Sequence, residues 1–320
     1  MHPFRCTVGD RPHIFLLTPL KNVRIMVCES PGGTTHRRIG TNTGRKIEKR
    51  DAMKRHTAPP KSQDKDAEKA FFDELAETGY AFKPKPDSEY DLVFSELGLD
   101  RDLTGLRVLE AGCATGEFGA RMARRNAEVV GVDLSDGMIA LNRRLNADVP
   151  NYSALVGDIE DPALFEPDSF DAAVSFNVLH HFPDCGRVVE NLALWLRDGG
   201  IVYAEEPNGG NLTNRISKAG RAVVKAFLPR LLHEKKLSSE NEEHDYTMAE
   251  YLDLFGRYGF SCVRLKAISG RDAFPSWKGF SVETAISAVK WVLYVVTERL
   301  AKEPLNRGNY LVFAMKVEKG

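Results

Sequence analysis

The feature that most constrains this chain is the run Arg107-Val108-Leu109-Glu110-Ala111-Gly112-Cys113-Ala114-Thr115-Gly116, followed by a helical stretch and then Val129-Val130-Gly131-Val132-Asp133. An apolar strand ends at an acid, the backbone turns through small residues, a helix opens, and a second strand ends at another acid. This order suits a parallel α/β sheet with a nucleoside pocket at its carboxyl edge. The glycines let backbone amides approach a ligand closely, and the helix N-terminus presents N–H groups. Asp133 is placed to accept both hydroxyls of a ribose.

Spacing narrows the ligand. The dinucleotide fingerprint needs small residues at its first, third and sixth positions, here Gly112, Ala114 and residue 117. Residue 117 is Glu. A carboxylate there repels a pyrophosphate but leaves a phosphate-free nucleoside undisturbed. With no Tyr followed four residues on by Lys, a nicotinamide-dependent reductase is the weaker alternative.

The run Glu110-Ala-Gly112-Cys-Ala114-Thr-Gly116 resembles the first motif of class I S-adenosylmethionine-dependent methyltransferases, with Ala114 in the place of the middle Gly. That substitution leads us to expect no positive φ at 114. The resemblance continues through Asp133, Gly157-Asp158-Ile159, Phe170 to His181 and Leu196 to Tyr203, a core of about residues 105–207. It implies a doubly wound, Rossmann-like, mostly parallel seven-stranded sheet with an antiparallel last strand. It implies S-adenosyl-L-methionine as cofactor. Glu110 and the Gly112, Ala114 and Gly116 backbone would face its methionine part, and Asp133 its ribose. Asp158 and Ile159 would meet the adenine, Leu134 and Met138 would flank it, and Asn177 would lie beside the sulfonium.

The rest of the chain follows the same rhythm. Strands are predicted at 107–110, 128–132, 152–156, 170–175 and 200–205, with helices between them at 117–126, 136–146, 161–165 and 185–196. Asp184 is the expected cap of the last of these helices. Two helices precede the sheet, one from Asp66 and one over 89–97, serving either as scaffold or as a cover for the cofactor. Thr247-Met248-Ala249-Glu250 reads as a capping box, and Ser261–Ile268 and Asn309–Val317 as the last strands. Two helical lid insertions are expected within the 63–320 domain, at about 209–246 and 270–305. The first carries the basic amphipathic run Arg215 to Leu232, a candidate for peripheral contact with an anionic membrane.

Charge divides the chain. Residues 1–61 hold 13 Lys and Arg against 4 Asp and Glu, a net of +9, which leaves −10 for the remainder. The basic segment 1–62 is expected to be disordered, and residues 1 to about 52 to be dispensable, with Met53 as an alternative start. An acidic folded part argues against a duplex nucleic-acid partner, and the fourth strand ends without a Pro-Pro-aromatic motif for a flipped base. Five scattered cysteines suggest neither disulfides nor zinc, so no metal and a cytoplasmic location are expected. No run of about eighteen apolar residues predicts a membrane span.

Methyl transfer needs alignment and water exclusion more than acid or base, but a hydroxyl acceptor gains from a proton acceptor. His180 and His181, after the fourth strand, are the candidate catalytic residues. Glu205 to Asn208 and His244-Asp245-Tyr246 border the acceptor side, and His233 lies in the first insertion. The expected activity is methylation of a small, aromatic or amphipathic acceptor, with oxygen favoured as the target atom. A binding module that keeps the cofactor pocket without turnover is the second alternative.

Overall fold

The structure, a computed structural model, describes residues 5–8, 11–20, 23–28, 64–78, 87–212, 214–216, 244–268, 308 and 310–319. Its centre is a sheet of seven strands: β4 (Arg107–Ala111), β5 (Glu128–Asp133), β6 (Tyr152–Val156), β7 (Phe170–Phe176), β8 (Leu196–Pro207), β9 (Phe260–Ile268) and β10 (Tyr310–Val317). Their spatial order is β6-β5-β4-β7-β8-β10-β9. The first five are mutually parallel, whereas β10 runs antiparallel to both β8 and β9. The chain therefore has the expected doubly wound Rossmann-like sheet with an antiparallel last strand. The order reverses between β4 and β7, so the crevice for a ligand lies above that junction.

The helices are α1 (Lys65–Thr78), α2 (Asp87–Leu97), α3 (Glu117–Ala123), α4 (Asp136–Leu145), α5 (Gly186–Trp195) and α6 (Met248–Arg257). Apolar residues cover both sheet faces, as near-continuous strand runs such as Val129 to Val132 require. One face holds Leu109, Val132, Leu192, Trp195 and Phe313, all essentially buried. On the other, α2 sets Tyr90 and Phe94 against Phe118 of α3, which stacks on Phe176 at 3.8 Å. Thr247 and Glu250 form the expected capping box, and Gly259 closes α6 at φ 83°. The segment expected as a helix over 161–165 is a single 3₁₀ turn, Pro162–Leu164. Asp184 accepts the Gly186 amide at 2.9 Å, one residue before the cap position held by Cys185.

The expectation of disorder over 1–62 is corrected at its start. Residues Arg5–Val8, Arg11–Leu20 and Val23–Cys28 form an antiparallel three-stranded sheet, here β1, β2 and β3. Phe15 to Thr18 pair with Ile25 to Cys28, β-favouring runs whose apolar content the basic net charge conceals. The interiors of both expected insertions, and His233, lie outside the described residues. Among the described residues no helix is long and apolar enough to cross a membrane.

Candidate functional site

The loop leaving β4 visits the left-handed region three times in five residues, at Gly112 (φ 66°), Ala114 (φ 41°) and Gly116 (φ 78°). A Cβ on Gly112 would stand 2.5 Å from a Val178 methyl carbon, so the loop is pressed against the segment after β7. Ala114 corrects the expectation of negative φ. Its amide donates to Asp133 Oδ2 at 2.9 Å and its carbonyl accepts from Asn142 Nδ2 at 2.9 Å. Held at both ends, the residue keeps a conformation that costs an L-residue about 1–2 kcal/mol.

Asp133 ties the first two loops together. Besides Ala114, it accepts the Ser135 amide on Oδ1 at 3.0 Å. Burial pushes its carboxyl up, while those two amides and the neighbouring His181 pull it down. Leu134 beside it is half-buried, whereas Met138 is fully buried in the first turn of α4 and Ile159 is packed into the core.

Glu110 lies elsewhere than expected. It is buried beneath the loop, with Oε1 accepting from the Gly119 amide and Oε2 from the Tyr152 hydroxyl, both at 2.8 Å. Burial pushes its carboxyl up to about 7, against the pull of these two bonds. Asn142 donates to the Tyr152 hydroxyl at 2.9 Å, and Asn146 donates to the Thr115 carbonyl at 2.9 Å. Glu110, Tyr152, Asn142 and Asn146 thus form a polar support under the loop. Gly119 belongs to it, because a Cβ there would overlap the Glu110 carboxylate. The Cys113 thiol also turns inward, against Ile139 and Ala154, and burial raises it well above the ordinary thiol range. Of these, Tyr152, Asn142, Asn146 and Gly119 were not singled out in the sequence; a buried acid at a strand end, needing donors, is the signal for them.

Above the loops lies α1, whose residues 65, 68, 69, 72 and 73 share one helical face. Lys65 Nζ pairs with Asp158 at 2.5 Å and with Glu160 at 2.7 Å. Lys69 joins Asp73 to Asp136, each at 2.7 Å. Asp73 Oδ1 accepts from Ser135 Oγ at 2.5 Å and from the Gly137 amide at 2.9 Å, at the start of α4. Glu68 meets His181 Nδ1 at 2.9 Å, and Phe72 packs edge-on to the His181 ring. This helix packs over the loops after β5, β6 and β7.

The remaining side is built around β8. Asn177, at φ 59°, donates its amide to the Glu205 carbonyl at 2.7 Å and its side chain to Glu205 Oε1 at 3.3 Å. Glu206 is wholly buried; its Oε1 accepts the Val178 and Leu179 amides at 3.0 and 2.9 Å, and its Oε2 lies 2.9 Å from His180 Nδ1. His180 and His181 sit on one 3₁₀ turn with ring centres 4.3 Å apart. The His244 amide donates to the His180 carbonyl at 2.8 Å, and Tyr246 bonds to Phe182 and Cys185.

The folded chain thus brings Gly112, Ala114, Gly116, Asp133, Leu134, Asp158, Asn177 and His181 to one carboxyl edge, and leaves Glu110, Met138 and Ile159 below its surface. The rim sets five carboxylates, Asp73, Asp133, Asp136, Asp158 and Glu160, against the two ammonium groups of Lys65 and Lys69, a net negative charge. Such a field favours a cationic ligand over a phosphorylated one. The residues present therefore fit a nucleoside sulfonium.

Comparison with known proteins agrees. A methyltransferase-domain family profile matches residues 102–258. The ubiquinone biosynthesis O-methyltransferase of Paracidovorax citrulli is 31% identical over 174 residues, which are 52% of this chain and 73% of that protein. Its counterpart in Albidiferax ferrireducens is 32% identical over 155 residues, 48% of this chain and 62% of that one. The chain thus spans less than two thirds of some of these relatives. Among solved structures, magnesium protoporphyrin IX methyltransferase from Synechocystis PCC 6803 with bound S-adenosylhomocysteine superposes with a TM-score of 0.54 at 15% identity, covering 80% of this chain and all of that one. A methyltransferase in complex with the Trm112 activator from Haloferax volcanii superposes with a TM-score of 0.57 at 18% identity, covering 79% and 98%. The glycine loop, the strand-end acids and these likenesses together show that the chain belongs to the class I S-adenosylmethionine-dependent methyltransferases.

Proposed function

We propose that this protein methylates a hydroxyl group of a small aromatic or amphipathic molecule. The observation that carries the reading is the placement of two imidazoles, His180 and His181, on the turn after β7, beside the glycine loop and Asp133. Relatives named as ubiquinone biosynthesis O-methyltransferases support oxygen as the target atom and a phenol-like acceptor.

S-adenosyl-L-methionine supplies an activated methyl group on a sulfonium. Asp133 and the Gly112 to Gly116 backbone would hold its sugar and amino-acid parts, and Asp158 and Leu134 would border the adenine. α1 closes over these loops, excluding water and strengthening every polar contact beneath it. The acceptor lies on the β8 side, near Asn177 and the histidines. Attack of its oxygen on the methyl group would leave the carbon–sulfur electron pair with sulfur, and His180 or His181 would take the hydroxyl proton. Alignment supplies most of the acceleration, and the base contributes about 10²–10⁴-fold for a hydroxyl acceptor.

Partner expectations carry over in the same terms. A small-molecule acceptor is expected at the site, and nucleic acid does not suit its acidic rim. The basic run Arg215 to Leu232 supports peripheral contact with an anionic membrane, from which an apolar acceptor would be drawn.

The test supplies the protein with methyl-labelled donor and a panel of catechols, monophenols, amines and carboxylic acids. Label is expected in an ether of at least one phenol. Donor binding measured by calorimetry is expected to weaken by on the order of 10²-fold in Asp133→Ala, which removes a carboxylate acceptor for two hydroxyls. Transfer to amines alone, or to nothing while the donor still binds, would overturn the reading.

A further inference from the structure

The two histidines are not equivalent. His181 Nδ1 faces Glu68 of α1 at 2.9 Å, its ring packs on Phe72, and its charge acts on Asp133. Its surroundings are those of the cofactor wall. His180 is turned the other way, into β8, where its Nδ1 lies 2.9 Å from Glu206 Oε2. The His180 backbone amide also reaches that oxygen, at 3.4 Å, while Oε1 takes the amides of Val178 and Leu179. One fully buried carboxylate therefore fixes the whole turn and the ring on it.

Three backbone donors converge on the Glu206 carboxylate. The other titratable groups around it are neutral or engaged elsewhere. The Tyr251 phenol is raised well above its ordinary range by burial and by the Glu206 charge, and burial pushes the Cys185 thiol up to about 12. Both stay neutral near pH 7. Tyr246, likewise raised, is engaged with Cys185 and Phe182, and His244 reaches His180 through its backbone amide. The second carboxylate nearby, Glu205, is engaged with Asn177.

From this geometry we infer that Glu206 is a positioning residue that selects His180, not His181, as the acceptor of the substrate's proton. Its carboxylate accepts from Nδ1–H, which fixes the tautomer and leaves the Nε2 lone pair as the basic site. As the acceptor oxygen bonds to the methyl carbon and the carbon–sulfur pair leaves with sulfur, its proton moves to Nε2. The imidazolium so formed is stabilised by the buried carboxylate and then releases its proton to solvent. The proposal rests on the methyl-transfer reading of the site, but its central claim concerns the resting protein.

The test is nuclear magnetic resonance of the full chain labelled with ¹⁵N in its histidines, with the His180 signals assigned by their loss in His180→Asn. The Nδ1-protonated tautomer is expected for neutral His180. In Glu206→Gln, which keeps a carbonyl oxygen for the Val178 and Leu179 amides, the titration midpoint of His180 is expected to fall by about one pH unit while that of His181 stays in place. With 3,4-dihydroxybenzoate as probe acceptor, kcat at pH 7 is expected to drop on the order of 10²-fold in Glu206→Gln, KM to change less than about threefold, and the acid limb of the profile to move down. An Nε2-protonated His180, or a midpoint that does not respond to Glu206→Gln, would overturn the assignment. The tautomer is read in the unsubstituted chain, so it decides the matter even where the variant fails to fold. If no acceptor is methylated, the proposed function fails while the resonance result still stands or falls by itself.

Discussion

Glu110 shows how a single residue at this site links structure to pH. Its carboxyl holds its proton up to about pH 7 in the folded chain, against 4.5 ordinarily, because burial outweighs the Gly119 and Tyr152 bonds. Between these values the unfolded chain releases a proton that the folded chain keeps. Stability therefore falls as pH rises through this window and levels off above about 7. At about 1.4 kcal/mol per pH unit, the whole effect is at most about 3.5 kcal/mol. Urea unfolding at a series of pH values from 4.5 to 8 is expected to show that decline, and Glu110→Gln to remove it; an unchanged slope in the variant would reject this account. The acid was legible in the sequence as part of a motif, but its role was not. Motif spacing records where a residue sits along the chain, while its donors come from α3 and β6, nine and 42 residues away.

Among the elements, α1 packs over the loops of the candidate site, and the sequence carries little signal for that packing. Its apolar positions predicted a helix from Asp66, and the observed span Lys65–Thr78 follows. What the periodicity does not carry is the polar face that pairs with Asp158, Glu160, Asp136, Ser135 and His181, since those partners meet only once the sheet has formed. Half-exposed ion pairs are individually weak, about 0.2–1 kcal/mol each. Lys65→Met removes two of them, and is expected to raise the hydrogen-exchange rate of α1 amides about fivefold in the protein alone. Unaltered exchange would mean that Glu68, Asp73 and Phe72 hold the helix without Lys65. The strands were easier. Val129 to Val132 and Ala172 to Val174 are short apolar runs bounded by turn residues, and parallel strands buried on both faces admit little else. The β1 to β3 sheet was missed because the basic charge of the surrounding segment outweighed a local β pattern.

At the scale of the molecule, the sheet separates its two ends. The site lies over β4, β5, β6, β7 and β8, whereas β3 approaches β9 at the opposite edge. Sites far apart with no shared partners act nearly independently. Starting the chain at Met53 is therefore expected to leave donor affinity within about twofold of the full chain by calorimetry, with a lower thermal midpoint reporting the lost cover on β9. A large loss of affinity would show that the basic segment takes part in the site.

The sequence by itself determined the sheet's alternation, the glycine loop, the acid at the end of β5 and hence the class of ligand, because these depend on local periodicity, small side chains and charge within about thirty residues. Only the tertiary structure decided that Ala114 bends as a glycine would, that Glu110 supports the loop from beneath, that α1 covers the site, and that Glu206 holds one histidine while Glu68 holds the other. Each of these is a hydrogen bond or ion pair between segments distant along the chain. Burial and donor geometry, which one dimension does not encode, set its energy.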